Sequence, residues 1–273
     1  MKKSGIALLG LGYYATEQLA PAFRETENCF LAAVITGHRS KGDHFKKHYG
    51  LTDQQVYTYD QFDLIQQDPS IDIIYVVLPH HLHAAYTIKA LEAGKHVICE
   101  KPMAATVKEA EQMMDAARKT GKTISIGYRL HFDPYHQEMI RIVKEQVFGN
   151  LTGIDCSFSF VPPKAAWRLS KEKSGGGPLV DVGIYCIQAV CYLTGHEPVA
   201  VTAQSLPVTD SEKFNGIEET LLFQLEMPDG LIATCRTSFS ETSSYLRIDA
   251  EKGWAELNPA FNYNGLVMKR SDG

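Results

Sequence analysis

The hexapeptide Gly10-Leu11-Gly12-Tyr13-Tyr14-Ala15 limits what this chain can fold into more than any other stretch. It follows the apolar run Ile6-Ala7-Leu8-Leu9 directly and leads into a helix-favouring segment, Thr16 to Glu25. In a G-x-G-x-x-G/A pattern the first glycine permits a tight turn. The second lets the backbone approach a pyrophosphate, and the last small residue lets the helix pack on the strand. The helix start adds unpaired N–H groups and positive potential suited to phosphate. Alone the spacing is a weak signal, shared with plain βα turns. Its strand–turn–helix setting makes it a candidate dinucleotide loop.

The rest of the first half alternates in the same way. Candidate strands are Ser4 to Leu9, Phe30 to Ile35, Ile71 to Leu78, His96 to Cys99 and Thr123 to Ile126. Several are nearly continuous apolar runs, as parallel strands covered on both faces are. Helices are expected over Thr16 to Glu25, Lys41 to Tyr49, Leu82 to Ala93 and Val107 to Lys119. Gly94 and Gly121 stand where left-handed caps are wanted, and Thr106 with Glu109 fits a capping box. Residues 1–128 therefore read as an α/β domain with a doubly wound parallel sheet.

From residue 129 to 273 the pattern changes. After a helix from Pro134 to Gln146, strand-like runs dominate: Leu151 to Val161, Val199 to Leu206, Glu219 to Met227, Leu231 to Phe239 and Tyr245 to Ala250. Pro228-Asp229-Gly230 is a hairpin turn in which glycine supplies a positive φ. One helix, Leu179 to Leu193, interrupts the strands. This half reads as an α+β domain with a large, mostly antiparallel sheet and helices on one face.

Hydrophobic content of 44% and charged content of 22% suit a globular protein with a buried core. A net charge of -5 gives no electrostatic reason to expect nucleic acid or an anionic membrane as partner. No apolar run approaches the roughly 20 residues that span a bilayer. The apolar start is too short for a signal peptide, so a cytoplasmic location is expected. The six cysteines lack CxxC spacing and read as buried thiols. His80, His81 and His83 cluster without an acid or cysteine at ligand spacing, so no metal is expected there.

The end of the second strand bears on the choice of nucleotide. NAD enzymes usually carry Asp or Glu there to grip the ribose 2′-OH. Here the stretch reads Thr36-Gly37-His38-Arg39-Ser40-Lys41. No acid repels a 2′-phosphate, Thr36 and Ser40 can donate, and Arg39 and Lys41 can give charge-assisted bonds. NADP is the expected cofactor, set against a solvated basic turn.

Glu100-Lys101-Pro102 ends the strand His96 to Cys99, at the carboxyl edge where ligands of such sheets bind. A lysine there can meet substrate, or it can be a surface lysine. Gly175-Gly176-Gly177 precedes the later helix, where Asp181 and Tyr185 are four residues apart and share a face. The rest of that helix is apolar, so the polar stripe needs a polar neighbour: a substrate cleft between the domains, or a satisfied Asp–Tyr pair.

These segments, with Leu78-Pro79, Leu82-His83, Ala93 to Val97, Ile126 to Arg129, His131 to Pro134 and Trp167-Arg168-Leu169, span nearly the whole chain. Together they resemble the Gfo/Idh/MocA oxidoreductase family, most closely its glucose–fructose oxidoreductase subgroup. The resemblance implies an N-terminal Rossmann domain and a hydride transfer between NADP and a sugar or polyol. It implies catalytic roles for Lys101, Asp181 and Tyr185, the last standing where many relatives have His. It places Thr36 and Lys41 at the 2′-phosphate and Trp167 and Arg168 beside the cofactor. The implied cofactor set also takes in Gly10, Leu11, Gly12, Tyr13, Tyr14, Ala15, Gly37, His38, Arg39, Leu78, Pro79, His83 and Glu100. Arg129 and His131 join Lys101, Asp181 and Tyr185 as candidate substrate contacts, against a bland alternative.

Tyrosine ordinarily titrates near pH 10, too high for an efficient base near neutrality; a neighbouring ammonium favours the phenolate. The glucose–fructose subgroup is exported and traps its nucleotide with an N-terminal arm. Only five residues precede Ile6, so an exchangeable NADP is weighed equally with a trapped one. Family chains continue beyond Gly273 with a closing helix, and they form dimers or tetramers through the second sheet, so a homo-oligomer is expected. Pentose or trans-dihydrodiol dehydrogenation are alternatives within the class. A non-catalytic NADP-binding redox sensor would not need Lys101, Asp181 and Tyr185, and a DNA-binding regulator would need a basic recognition helix.

Overall fold

The protein is described by a computed structural model over residues 2–273. It forms two units, one ending at Gly127 and the next beginning at Tyr128.

The first unit is built on six strands: β1 (Ser4–Leu9), β2 (Cys29–Ile35), β3 (Val56–Tyr57), β4 (Ile73–Val76), β5 (His96–Glu100) and β6 (Ile124–Gly127). All pair in parallel, in the order β3-β2-β1-β4-β5-β6. The chain reverses its direction of travel across the sheet between β1 and β4, the position where doubly wound sheets leave a crevice for ligand. From Gly5 to Leu9 β1 is buried throughout, so alternate residues enter different cores. Ala7 and Leu9 pack with Ile35, Phe62 and Ile74; Leu8 packs with Leu11, Ala15, Val34 and Phe45.

Two local departures from expectation have clear causes. The helix expected from Thr16 to Glu25 begins as a widened π-helical turn, Ala15–Leu19, and continues only through Ala20–Ala22. Pro21 has no N–H to return to the Glu17 carbonyl, so regular α-helix cannot run through it. The two-residue β3 and the 3-10 run Tyr59–Gln67 fill a region where no element was expected. By contrast, Thr106 does cap the helix Val107–Thr120: its hydroxyl accepts from Glu109 N at 3.2 Å, and Glu109 Oε2 accepts from Thr106 N at 3.0 Å.

The second unit holds β7 (Leu151–Ser159), β8 (Ala200–Ser205), β9 (Thr220–Glu226), β10 (Ile232–Ser238), β11 (Ser243–Ala250), β12 (Gly253–Leu257) and β13 (Met268–Arg270). Their order is β13-β12-β11-β7-β10-β9-β8. Only β7 and β10 pair in parallel; every other neighbour is antiparallel. The β9–β10 hairpin closes on Gly230 at φ +82°, with Met227 N donating to Leu231 O at 2.9 Å. Met139 and Ile142 of the helix Pro134–Lys144, and Ala189, Val190 and Leu193 of the helix Ile184–Thr194, share one core with Ile154, Phe223, Ala233, Leu246 and Leu257. The helical stretch Lys171–Thr194 has the length and apolarity to cross a membrane, which no uninterrupted run in the sequence suggested. Yet 56% of its most apolar window is buried inside the structure.

Candidate active site

The glycine loop is held in the conformation its sequence demands. Gly10 donates to Ile35 O at 3.0 Å and sits at φ +96°; a Cβ there would lie 2.3 Å from the Val77 carbonyl oxygen. No other residue fits that turn. At Gly12 a Cβ would meet nothing within 4 Å, so the loop opens onto unfilled space in front of the helix start. Leu11 and Ala15 are buried anchors, whereas Tyr13 is 69% exposed. The turn therefore has the open face and close-packed back that a pyrophosphate cradle requires.

The turn after β2 lies beside this loop. Lys41 Nζ donates to the Leu11 carbonyl at 2.9 Å, tying the basic turn to the glycine loop. Gly37, His38, Arg39, Ser40 and Lys41 are exposed. Thr36 is not: its side chain is 3% exposed, and Oγ1 accepts from His38 N at 3.2 Å. That bond shapes the turn, and the residues after Thr36 are exposed.

At the ends of β4 and β5 the chain builds a polar support. Tyr75 donates its phenol proton to Glu100 Oε1 at 2.8 Å, and Glu100 Oε2 accepts from Lys101 N at 3.2 Å. Burial first, then the Glu100 charge and the neighbouring Tyr14, hold the Tyr75 phenol far above its ordinary range, so it remains a donor. A Cβ at Gly127 would stand 2.7 Å from the Tyr75 oxygen and 2.8 Å from Glu100 Oε1, so glycine there permits the pair. Lys101 is half-buried, Pro79 likewise, and Leu78 belongs to the core. His83 is a correction. Its ring is fully buried, with Nδ1 2.8 Å from Pro102 O and Nε2 2.8 Å from Leu78 O, so both nitrogens are committed to backbone and neither faces a cofactor.

In the second unit Asp181 lies in a π-helical turn, Leu179–Gly183, that runs into the helix Ile184–Thr194. Glu218 caps this start, accepting from Gly177 N at 3.0 Å and Leu179 N at 3.1 Å. Asp181 is 2% exposed and accepts from Arg168 Nε at 2.7 Å. The guanidinium in turn lies 4.6 Å from the Trp167 ring centre and 5.9 Å from that of Phe160. Tyr185 is half-buried in an aromatic cluster, its ring 5.3 Å from Tyr128, 5.2 Å from Phe158 and 6.0 Å from Phe261. Tyr128 donates to the Tyr185 carbonyl at 3.5 Å, and burial keeps its own phenol well above the ordinary range.

Arg129, a candidate substrate contact, also holds a backbone segment. Its Nη2 donates to the carbonyls of Phe261 (2.5 Å) and Asn262 (2.8 Å), and its guanidinium lies 4.8 Å from the Tyr263 ring centre. Through Nη2 it pins the segment that carries Phe261 to the aromatic cluster, while its buried Nε has no hydrogen-bond partner. His131 is exposed, 4.8 Å from the Tyr192 ring. Tyr75, Glu218 and Phe261 were not foreseen. A phenol inside the apolar run Ile73-Ile74-Tyr75-Val76 was the one available signal. Among the described residues no group of three or more His, Cys, Asp or Glu could hold a metal ion.

Comparison with known proteins fits this architecture. Residues 4–128 match an oxidoreductase family with an NAD-binding Rossmann fold, GFO/IDH/MocA, and residues 136–256 match the C-terminal domain of the same family. A D-xylose 1-dehydrogenase [NADP(+)] of Haloarcula marismortui is 30% identical over 264 residues, covering 93% of this chain and 72% of that enzyme. A D-glucoside 3-dehydrogenase of Escherichia coli is 30% identical over 286 residues, covering 96% and 80%. The solved aldose-aldose oxidoreductase of Caulobacter crescentus superposes with a TM-score of 0.95 at 40% identity, covering 99% of this chain and 81% of that one. The chain belongs to the GFO/IDH/MocA oxidoreductase family.

Proposed function

We propose that this chain oxidises the anomeric hydroxyl of an aldose, with Tyr185 as the proton acceptor. The chain is an NADP-dependent oxidoreductase acting on CH–OH groups of sugars. The observation that carries the finer reading is the 40% identity, sustained over 99% of the chain, to an aldose-aldose oxidoreductase.

The residues present fit NADP. Gly10 and Gly12 form a turn with open space in front of it, and the exposed Arg39 and Lys41 begin the helix Arg39–Tyr49 beside it. Those cations suit a 2′-phosphate, and no carboxylate stands in that turn to repel it. A bound NADP would supply the hydride acceptor. The chain supplies the proton chemistry and the orientation. Tyr185 takes the proton from the sugar hydroxyl, a general-base role worth roughly 100-fold or more in rate. The Lys101 ammonium is suited to negative charge developing on a sugar oxygen. Arg168 keeps the Asp181 carboxylate in one orientation, so it can accept from a sugar hydroxyl without first reorganising.

The test is absorbance at 340 nm with purified protein. NADP is offered with glucose, xylose, other aldoses and polyols, and NADPH with ketoses and gluconolactone. Growth of NADPH with an aldose is the expected result. Tight NADP binding without turnover of any sugar would favour a redox sensor and overturn the proposal.

A further inference from the structure

The His83 ring reaches two chain segments at once. It begins the helix His83–Glu92 and is wholly buried. Its Nε2 contacts the carbonyl of Leu78, shortly after β4, and its Nδ1 the carbonyl of Pro102, shortly after β5, each at 2.8 Å. One imidazole therefore bridges the exits of two adjacent parallel strands, at the carboxyl edge of the sheet.

Carbonyl oxygens only accept, and a neutral imidazole has a single N–H to give. Burial pushes the His83 pKa down, the charges of Lys101 and His81 act the same way, and the two backbone contacts oppose them. The neutral ring must choose one carbonyl for its proton. Leu78 is held by the core around it. Pro102 lies in the turn just past Lys101, and proline gives that turn no N–H of its own. A donor to the Pro102 carbonyl therefore adds a hold at a residue that can donate none itself.

We propose that His83 is a positioning residue for the reaction: its Nδ1–H holds the Pro102 carbonyl and thereby orients the Lys101 ammonium toward the substrate. The inference rests on the role given to Lys101 above. It predicts an effect on turnover and not on nucleotide binding, because His83 offers no atom to the nucleotide.

The experiment compares His83→Leu, His83→Asn, His83→Gln, Lys101→Met and the double variant His83→Leu/Lys101→Met in the full chain. It measures kcat, the KM for sugar and the dissociation constant for NADP. Asparagine places an amide N–H near the Nδ1 position; glutamine reaches toward Nε2. Misplacing a catalytic group by an ångström costs about 100-fold in rate. His83→Leu should therefore lose about that much kcat while NADP affinity holds, His83→Asn should recover most of it, and His83→Gln should not. In the Lys101→Met background His83→Leu should cost nothing further, since residues acting through one another are not additive. Equal kcat in the Asn and Gln variants, or a loss of NADP affinity in place of kcat, overturns the proposal even if the leucine variant does not fold. Full turnover in Lys101→Met overturns the reading of Lys101 and this inference together. An inactive Lys101→Met beside an active His83→Leu overturns the inference alone.

Discussion

Arg168 donates Nε–H to Asp181 Oδ2 at 2.7 Å, and the two partners are unequally sheltered: the arginine side chain is 37% exposed, the aspartate 3%. That asymmetry decides which half of the pair is dispensable. Removing Arg168 takes a charged donor from a carboxylate that water hardly reaches, whereas removing the Asp181 charge leaves a guanidinium that water can still reach. Arg168→Leu should therefore cost about 1.5–3 kcal/mol, the worth of a hydrogen bond to a charged group. Asp181→Asn should cost about 1 kcal/mol. Urea unfolding at neutral pH measures both, and the reverse order would mean the carboxylate is not the dependent partner. Arg168→Lys should rescue poorly, because an ammonium neither matches the planar fork nor stacks on Trp167 as the guanidinium does.

The Tyr185 ring sits among Tyr128, Phe158 and Phe261, so its packing and its hydroxyl can be separated. Tyr185→Phe keeps the ring and its volume, and a volume-conserving swap should change stability by less than about 1.5 kcal/mol. It should lower kcat at least about 100-fold, the scale of losing a general base. Steady-state kinetics beside a thermal melt make the comparison. Near-normal turnover would remove Tyr185 as the base.

What the sequence disclosed and what it hid follow from how far apart the interacting residues lie. The glycine loop, the Thr106 cap and the β9–β10 turn are each set by a few neighbouring residues, and all were legible. The apolar strands were legible because continuous burial writes a continuous run. Two capping boxes, Thr52 with Gln55 and Thr58 with Gln61, were also written locally, and they start the short 3-10 turns that went unforeseen. The supports of the site were hidden for a different reason. Tyr75 meets Glu100 across 25 residues, Gly177 meets Glu218 across 41, and Arg129 meets Phe261 across 132. No periodicity connects such partners. Arg129 and His83 were read as ligand contacts, and each also meets two backbone carbonyls brought to it only by the fold.

Tyr57 gives a pH signature in the first unit. Its phenol is pushed up to about 12, by burial first and then by the Asp68 carboxylate, to which it donates at 2.8 Å. A folded-state pKa raised above the unfolded value of 10 contributes stability that is complete below pH 10 and is lost as pH rises through about 12. Stability should therefore fall more steeply between pH 10 and 12 in the native protein than in Tyr57→Phe. Urea midpoints across that range test it, and parallel curves would show that the phenol keeps its ordinary titration.

Lys41 and Arg39 should not be equivalent at the nucleotide. Lys41 also ties the basic turn to the glycine loop through the Leu11 carbonyl, so its loss loosens a structure that both NAD and NADP use. Arg39, exposed at the helix start, carries no such tie to that loop among the described hydrogen bonds and is free to serve the 2′-phosphate. Arg39→Asp should raise the KM for NADP by about 10-fold or more, the worth of one charge-assisted bond plus the new repulsion, and leave NAD nearly unchanged. Lys41→Ala should raise both constants, NADP more than NAD. The double variant should then favour NAD over NADP relative to the native enzyme. Initial rates with each nucleotide at saturating sugar provide the comparison. Equal effects on the two nucleotides in Arg39→Asp would mean that this turn is a solvated basic surface and that the 2′-phosphate is recognised elsewhere.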